Sequence, residues 1–206
     1  MEKVWERYGV LNKCKEDIAK AEAALIAAYA AGGKLLLCGN GGSAADCDHI
    51  AGELGKGFLS RRPLGEDKRS QMKAGCPALD DGLLSSLQDA LPAISLPSMT
   101  ALMTAFANDV DPTLIFAQGV LALGKEEDIL IALSTSGNSK NVVAAAKVAK
   151  GLGLTVIALT GEGGGALGEI ADITVAVPET ETFKIQELHL PIYHYLCAAI
   201  EEHFFK

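Results

Sequence analysis

The chain has 206 residues, of which 49% are hydrophobic and 5% aromatic, and its formal net charge is −8. This size predicts a single domain with an aliphatic core, and the negative charge argues against nucleic acid or an anionic membrane as the main partner. No uncharged apolar run reaches the roughly 18 residues of a membrane span, and the charged, amphipathic start predicts no signal peptide. Five scattered cysteines match neither a disulfide framework nor a Cys-x-x-Cys pair, so we expect a cytoplasmic protein.

The N-terminal segment, residues 1–31, has apolar side chains at three- and four-residue steps. This spacing predicts one long amphipathic helix that ends at Gly32 and Gly33. The segment precedes every predicted strand, so we expect it to pack against other helices or against a second subunit.

Five short apolar runs follow along the chain and predict strands, at about 34–38, 93–96, 129–133, 154–159 and 173–177. Helical patterns accompany them near 43–57, 98–107, 111–122, 138–151 and 182–204. Alternation of this kind predicts a parallel α/β sheet that helices cover on both faces.

The segment 61–92 separates the second helix from the second strand. Its leucines indicate a short helix around 78–91. A connection of this length is usually a lid, a binding loop or disordered.

The first polar turn is Cys38-Gly39-Asn40-Gly41-Gly42-Ser43, between an apolar run and a helical pattern. Its glycines permit tight turning and close approach of the backbone to a ligand. The spacing does not fit the Gly-x-Gly-x-x-Gly dinucleotide fingerprint.

A second polar turn, Ser134-Thr135-Ser136-Gly137-Asn138-Ser139, follows the strand pattern at 129–133 and precedes a helix. Backbone N–H groups and the positive end of the helix dipole, with four hydroxyls beside them, suit a phosphate monoester. The turn lacks the lysine of a P-loop. The alternative is an ordinary polar connection that caps a helix. Two strand–turn–helix units predict a ligand at the carboxyl ends of parallel strands.

His49 and Glu53 are four residues apart on the helix after the first turn, so both lie on one face and could share a metal ion. The alternative is a surface or packing pair. The last helical pattern is otherwise apolar but contains four polar residues, Gln186, Glu187, His189 and His194. The alternative to a functional role is that they are buried polar side chains with satisfied hydrogen bonds. Asn108 and Asp109 end the third helix, where Asn could adopt a left-handed conformation.

Taken together, these motifs resemble the sugar isomerase (SIS) domain family, in particular its sedoheptulose-7-phosphate isomerase branch. The resemblance covers nearly the whole chain. Its strongest motifs are Cys38 to Ser43, His49-x-x-x-Glu53, Asn108-Asp109, Ser134 to Ser139, and Ile185-Gln186-Glu187-x-His189 followed by His194. It implies one SIS domain over residues 1–206, a three-layer sandwich with a five-stranded parallel sheet and an N-terminal helical arm for oligomer packing.

The resemblance also implies a site for a small phosphosugar substrate. Phosphate would bind at Ser134, Thr135, Ser136 and Ser139, and the sugar at Asn40, Gly41, Gly42, Ser43, Asn108, Asp109 and Gln186. One zinc ion per subunit would be held by His49, Glu53, Gln186 and His194. Glu53 and His194 would be the acid/base pair of a ketose–aldose isomerisation that leads to ADP-heptose. The implied assembly is a homotetramer with shared active sites.

Two alternatives remain within the SIS family: a non-catalytic adaptor of the type that binds the replication initiator DnaA, and an isomerase for another sugar phosphate. The adaptor branch lacks the equivalents of Glu53 and His194, which favours catalysis here. Residues 65–90 look like an insertion of roughly two dozen residues relative to typical members, which leaves the substrate preference open.

Pro191 lies between Gln186 and His194 and is expected to kink or loosen the last helix. These two residues lie about 12 Å apart along a regular helix. Sharing one metal would therefore need long reach, a distorted helix or a neighbouring subunit.

Overall fold

The computed structural model describes residues 2–206. Its centre is a five-stranded parallel sheet with strand order β2-β1-β3-β4-β5. The strands are β1 (Leu35–Cys38), β2 (Ala93–Ser95), β3 (Ile129–Leu133), β4 (Thr155–Thr160) and β5 (Ile173–Ala176). The predicted number of strands, their positions and their parallel arrangement are therefore confirmed.

Ten α-helices surround the sheet in the described chain. They are α1 (Val4–Arg7), α2 (Lys15–Ala30), α3 (Gly42–Leu54), α4 (Glu66–Gly75), α5 (Asp81–Ser86), α6 (Thr100–Asp109), α7 (Ile115–Leu123), α8 (Lys140–Gly151), α9 (Gly165–Gly168) and α10 (Thr182–Phe205). Short 3₁₀ helices span Gly9–Cys14, Leu96–Ser98 and Pro112–Leu114. No helix in the part described, residues 2–206, is long and apolar enough to cross a membrane.

The hydrophobic core has two parts, one on each face of the sheet. Alternate strand residues point to opposite faces, so Leu35 and Leu37 belong to one cluster and Leu36 and Cys38 to the other. The first cluster includes side chains of α2, α3 and α10, and the second those of α6, α7 and α8. This arrangement confirms the three-layer α/β sandwich.

The N-terminal segment differs from the single helix predicted over residues 1–31. Tyr8 has a non-helical backbone (φ −115°, ψ 83°), and a 3₁₀ helix follows before α2 begins at Lys15. Gly9 supplies one physical reason, because glycine is among the poorest helix formers.

The apolar stripe of this segment is covered by other parts of the same chain. Leu11, Ile18 and Leu25 are almost fully buried in the same cluster as side chains of α10 and β5. The sequence pattern alone could not show that the C-terminal helix covers this stripe.

The segment 61–92 contains two helices, α4 and α5, and its status as an insertion stays a prediction. The helix predicted around 78–91 is α5, which is shorter than expected, and Asp80 caps it by accepting a hydrogen bond from Leu83 N (2.8 Å). Helix α4 was not predicted, because none of its residues is buried and it lacks an apolar face. An isolated antiparallel bridge between Pro63 and Gln88 closes the base of this segment.

Helix α10 continues from Thr182 to Phe205 with Pro191 inside it. The helix continues through the proline, and the local kink or loosening expected there stays a prediction.

Candidate active site

The two polar turns lie side by side because they follow β1 and β3, which are neighbours in the sheet. The chain crosses from β1 to β2 on one side and then to β3 on the other, and ligands of open α/β sheets bind at such a switch point. A cavity of about 310 Å³ lies here. It is lined by Asn40, Gly41, Gly42, Ser43, Leu133, Ser134, Thr135, Ser139, Thr182 and Gln186.

The glycine-rich turn brings the backbone of α3 against α10. Gly41 has φ 55° and ψ −120°, a conformation essentially restricted to glycine. A Cβ atom on Gly42 would lie 2.6 Å from Gln186 Nε2, so the amide of Gln186 packs directly on this glycine. Asn40 exchanges two side-chain hydrogen bonds of 2.9 Å with Asn141, which connects the first turn to the start of α8.

The Ser/Thr turn is held in shape from within and from one neighbouring loop. Ser134 Oγ donates to Ser139 Oγ (3.0 Å), and Ser136 Oγ accepts from Asn138 N (3.1 Å). Gly137 has φ 66°, and its carbonyl accepts a hydrogen bond from Leu167 N (2.9 Å). These contacts fix the turn before any ligand binds, which is the pre-organisation that anion recognition requires.

A second cluster lies farther along α3 and α10. His49 Nε2 is 3.3 Å from Glu53 Oε1 and 3.5 Å from His194 Nε2, and the two imidazole rings meet edge to face. Glu53 Oε2 accepts a 2.8 Å hydrogen bond from Lys56. The ring of Phe58 lies 5.6 Å from that of His194, so the cluster has an aromatic wall on one side.

The pKa values of His194 and Glu53 are both lowered, which favours the neutral form of the histidine and the charged form of the glutamate. Burial and the electrostatic effect of His49 lower the pKa of His194, with Glu53 opposing them. Burial tends to raise the pKa of Glu53, but its hydrogen bond and electrostatic attraction to Lys56, together with its contact with His49, outweigh burial and lower that pKa. The cluster therefore favours a neutral imidazole beside an ionised carboxylate, both able to accept a proton.

The fit to a metal ion is incomplete within one chain. Two imidazoles and a carboxylate are donors that zinc prefers, and ligands of one tetrahedral zinc lie about 3.3 Å apart. Among residues 2–206, however, no three His, Cys, Asp or Glu side chains are placed so that they could hold a metal. Gln186 lines the cavity of the two polar turns, against Gly42. The structure thus brings together His49, Glu53 and His194, with Gln186 in the neighbouring part of the site.

The remaining predicted residues lie away from the cavity in this chain. Asn108 and Asp109 are exposed at the end of α6, where Asn108 Nδ2 donates to Asp109 Oδ1 (2.8 Å). No described non-glycine residue has positive φ, so the left-handed Asn proposed for Asn108 is not found. Ser136 is exposed and does not line the cavity.

The two other polar residues noted on α10 also lie apart from the cluster. Glu187 is exposed, and His189 is fully buried near Thr160 O, 3.2 Å from its Nε2.

A buried ion pair that was not predicted from the sequence supports the second cluster. Arg62 Nε donates to Glu201 Oε1 (2.8 Å), and Arg62 also donates to the carbonyl oxygens of Glu53 and Leu54. Glu201 further accepts from the backbone N–H groups of residues 58–60. The pair thereby joins the end of α3, the loop that holds Phe58, and α10. The pair of glutamates at 201–202, after an apolar stretch of α10, was the available signal.

Comparisons with known proteins agree with this geometry. Two family models, both described as SIS domain, match residues 98–198 and 3–80. The phosphoheptose isomerase of Rhodospirillum rubrum is 38% identical over 93% of this chain and 88% of its own length. That of Burkholderia pseudomallei is 40% identical over 91% and 82%. The solved phosphoheptose isomerase of Neisseria gonorrhoeae superposes with a TM-score of 0.76 at 32% identity, over 95% of this chain and 91% of that one.

Proposed function

The chain belongs to the phosphoheptose isomerase family of SIS-domain proteins, and on that premise we propose how its own residues perform the reaction. The activity is that of a sugar-phosphate isomerase, acting on sedoheptulose 7-phosphate in heptose biosynthesis. The proposed product is D-glycero-D-manno-heptose 7-phosphate, a precursor of ADP-heptose.

The phosphate is assigned to the cavity at the two polar turns. Ser134, Thr135 and Ser139 line it, and the first turn of α8 begins directly after Ser139. Hydroxyl donors and a helix N-terminus stabilise a dianion without a lysine. Asn40, Gly41, Gly42 and Ser43 form the opposite wall, where the sugar hydroxyls would bind together with Gln186.

Proton transfer is assigned to Glu53 and His194. Isomerisation of the ketose requires removal of a proton from C1, formation of an enediol, and delivery of a proton to C2. The lowered pKa values of Glu53 and His194 leave both groups unprotonated near neutral pH, so either can accept the first proton and return it. Both groups lie beside His49: Glu53 Oε1 is 3.3 Å and His194 Nε2 is 3.5 Å from His49 Nε2.

The observation that supports this assignment best is that the same two helices, α3 and α10, hold both the cavity and the cluster of His49, Glu53 and His194. Helix α3 begins at the cavity with Gly42 and continues to His49 and Glu53, while α10 extends from Gln186 to His194. Eight residues of α10 correspond to about 12 Å. An extended seven-carbon chain with its phosphate spans roughly 10 Å from bond lengths of about 1.5 Å. A heptose phosphate could therefore contact both parts at once.

We further propose that the protein binds one zinc ion per subunit through His49, Glu53, His194 and Gln186, as a homotetramer with shared sites in the cytoplasm. When bound, zinc would polarise the C1 and C2 oxygens of the sugar. Because Gln186 faces the other part of the site, this ligand set needs a side-chain rearrangement or a group from a neighbouring subunit. Metal analysis of the purified protein, with light scattering for its mass, tests both proposals.

The activity test is NMR of the purified protein with sedoheptulose 7-phosphate, with and without added zinc. We expect aldose signals from the wild-type chain and their loss in Glu53→Gln. Glu187→Gln is the matched control, because Glu187 is an exposed glutamate of α10 outside the cavity. Absence of aldose signals in both conditions would reject the proposed reaction, and would favour a binding role for the phosphosugar cavity.

A further inference from the structure

Tyr193 connects the two helices of the second cluster through hydrogen bonds at its hydroxyl. The residue is 2% exposed and lies on α10, next to His194. Its Oη donates to Asp46 Oδ1 (3.1 Å) and lies 3.0 Å from His49 Nδ1. The rings of His49 and Tyr193 meet edge to face with centroids 5.5 Å apart. The phenol is therefore fixed in place by packing as well as by hydrogen bonds.

The hydrogen atoms in this chain can be assigned by elimination. A phenol has a single hydrogen to donate, and the Tyr193 hydroxyl donates it to Asp46 Oδ1. Because that hydrogen is used on Asp46, the Tyr193 oxygen can only accept from His49. The His49 ring must then hold a hydrogen on Nδ1, and in the neutral ring Nε2 is left with a free lone pair.

We propose that Tyr193 is a positioning residue that fixes His49 in the Nδ1–H tautomer and so turns an unprotonated Nε2 toward Glu53 and His194. The inference rests on the proposed role of this cluster in isomerisation. It assigns no chemistry to the phenol, which acts only through His49.

The tautomer has a consequence for what the cluster can bind. Glu53 Oε1 lies 3.3 Å from His49 Nε2, and with this tautomer neither atom has a hydrogen to offer the other. Each acceptor is satisfied when a donor group binds beside it. A sugar hydroxyl has one hydrogen to donate, so one atom of the pair can accept it and hold that hydroxyl at the cluster.

The opposite tautomer would remove this property. With hydrogen on Nε2, His49 would donate to Glu53 and occupy a lone pair of the carboxylate, which would then be less available to the substrate. Loss of the Tyr193 hydroxyl permits that state, because Nδ1 then no longer needs to donate.

The first test measures the tautomer directly in the full-length chain. Nitrogen-15 NMR of the histidine side chains, before and after treatment with a chelator, distinguishes protonated from unprotonated ring nitrogens. We expect His49 to show a protonated Nδ1 and an unprotonated Nε2 in the chelated protein. A protonated Nε2, alone or together with Nδ1, overturns the proposal.

The second test compares Tyr193→Phe with Tyr195→Phe. Tyr195 is the matched control, because it is a buried phenol of the same helix whose hydroxyl also has two partners, Lys3 and Glu22. We expect Tyr193→Phe to lower kcat about tenfold to hundredfold, as for other residues that orient a functional histidine, with KM changed less than about twofold. Equal kinetics of the two variants would overturn the proposal.

The two tests separate this inference from the reaction itself. If the wild-type chain does not isomerise sedoheptulose 7-phosphate, the proposed reaction fails and the tautomer measurement still decides the role of Tyr193. If Tyr193→Phe does not fold, the wild-type NMR result again decides it.

Discussion

Gly137→Ala tests whether the phosphate turn depends on its contact with the glycine-rich loop that precedes α9. Gly137 has φ 66°, a conformation that costs a non-glycine residue about 1–2 kcal/mol. A Cβ atom there would lie 1.9 Å from Gly164 O and 2.5 Å from Gly164 C, both backbone atoms that have no rotamer by which to retreat. The new methyl group therefore has to separate the two loops.

The size of the effect follows from what that separation breaks. Overpacking costs about 1–3 kcal/mol. The hydrogen bond from Leu167 N to Gly137 O, and that from Ala166 N to Asn138 Oδ1, each contribute about 1 kcal/mol. With the backbone strain, we expect a loss of about 4–7 kcal/mol in the free energy of unfolding, or a displaced turn that binds phosphate poorly.

Gly32→Ala is the control for this variant. Gly32 also has positive φ, 85°, but a Cβ there would meet nothing within 4 Å, and the residue is remote from the cavity. We expect a loss of only about 1–2 kcal/mol and unchanged turnover. Urea denaturation gives both free energies, and KM for the phosphosugar reports on the turn. Equal stability losses and equal KM values in the two variants would refute the close-contact argument.

Three further predictions concern binding, pH and the buried ion pair. Thr135→Val should weaken phosphosugar binding by about 1–3 kcal/mol in a calorimetric titration, because Thr135 lines the cavity and its hydroxyl is proposed to bind the phosphate. Burial lowers the pKa of His189 to about 4 from 6.5, so the unfolded chain binds its proton first. Stability should fall by about 3 kcal/mol between pH 6.5 and 4, and His189→Gln should flatten that slope in urea denaturation. Glu201→Gln should cost about 3–5 kcal/mol in the same assay, because it leaves the Arg62 charge buried without its partner, and an unchanged stability would contradict this account.

The central strands β1, β3 and β4 were predictable because they are buried on both faces and therefore appear as short, continuous apolar runs. The predicted run 129–133 coincides with β3, and the run 34–38 with β1 to within one residue. Helix α4 was not predictable on the same basis, since an exposed helix of polar residues has no apolar period. The break at Tyr8 was also missed, because apolar spacing continues through a 3₁₀ segment nearly as it does through an α-helix.

In the site, too, contacts between residues close in sequence were predictable, whereas contacts between distant residues were not. The pairing of His49 with Glu53 was predictable, because a spacing of four on a helix fixes two side chains on one face. The hydrogen bond between Asp46 and Tyr193 joins residues 147 positions apart, and no local pattern marks it.

The position of Gln186 was not predictable for the same reason. The sequence suggested that it shares a ligand set with His194, but two helical turns separate their side chains along α10. Gln186 meets Gly42 because glycine leaves room for the amide at the start of α3. That contact depends on how α3 crosses α10, which only the tertiary packing determines. A substitution such as Gly42→Ala would place a methyl group against this amide, and its effect on phosphosugar binding would therefore report on helix packing as much as on the ligand itself.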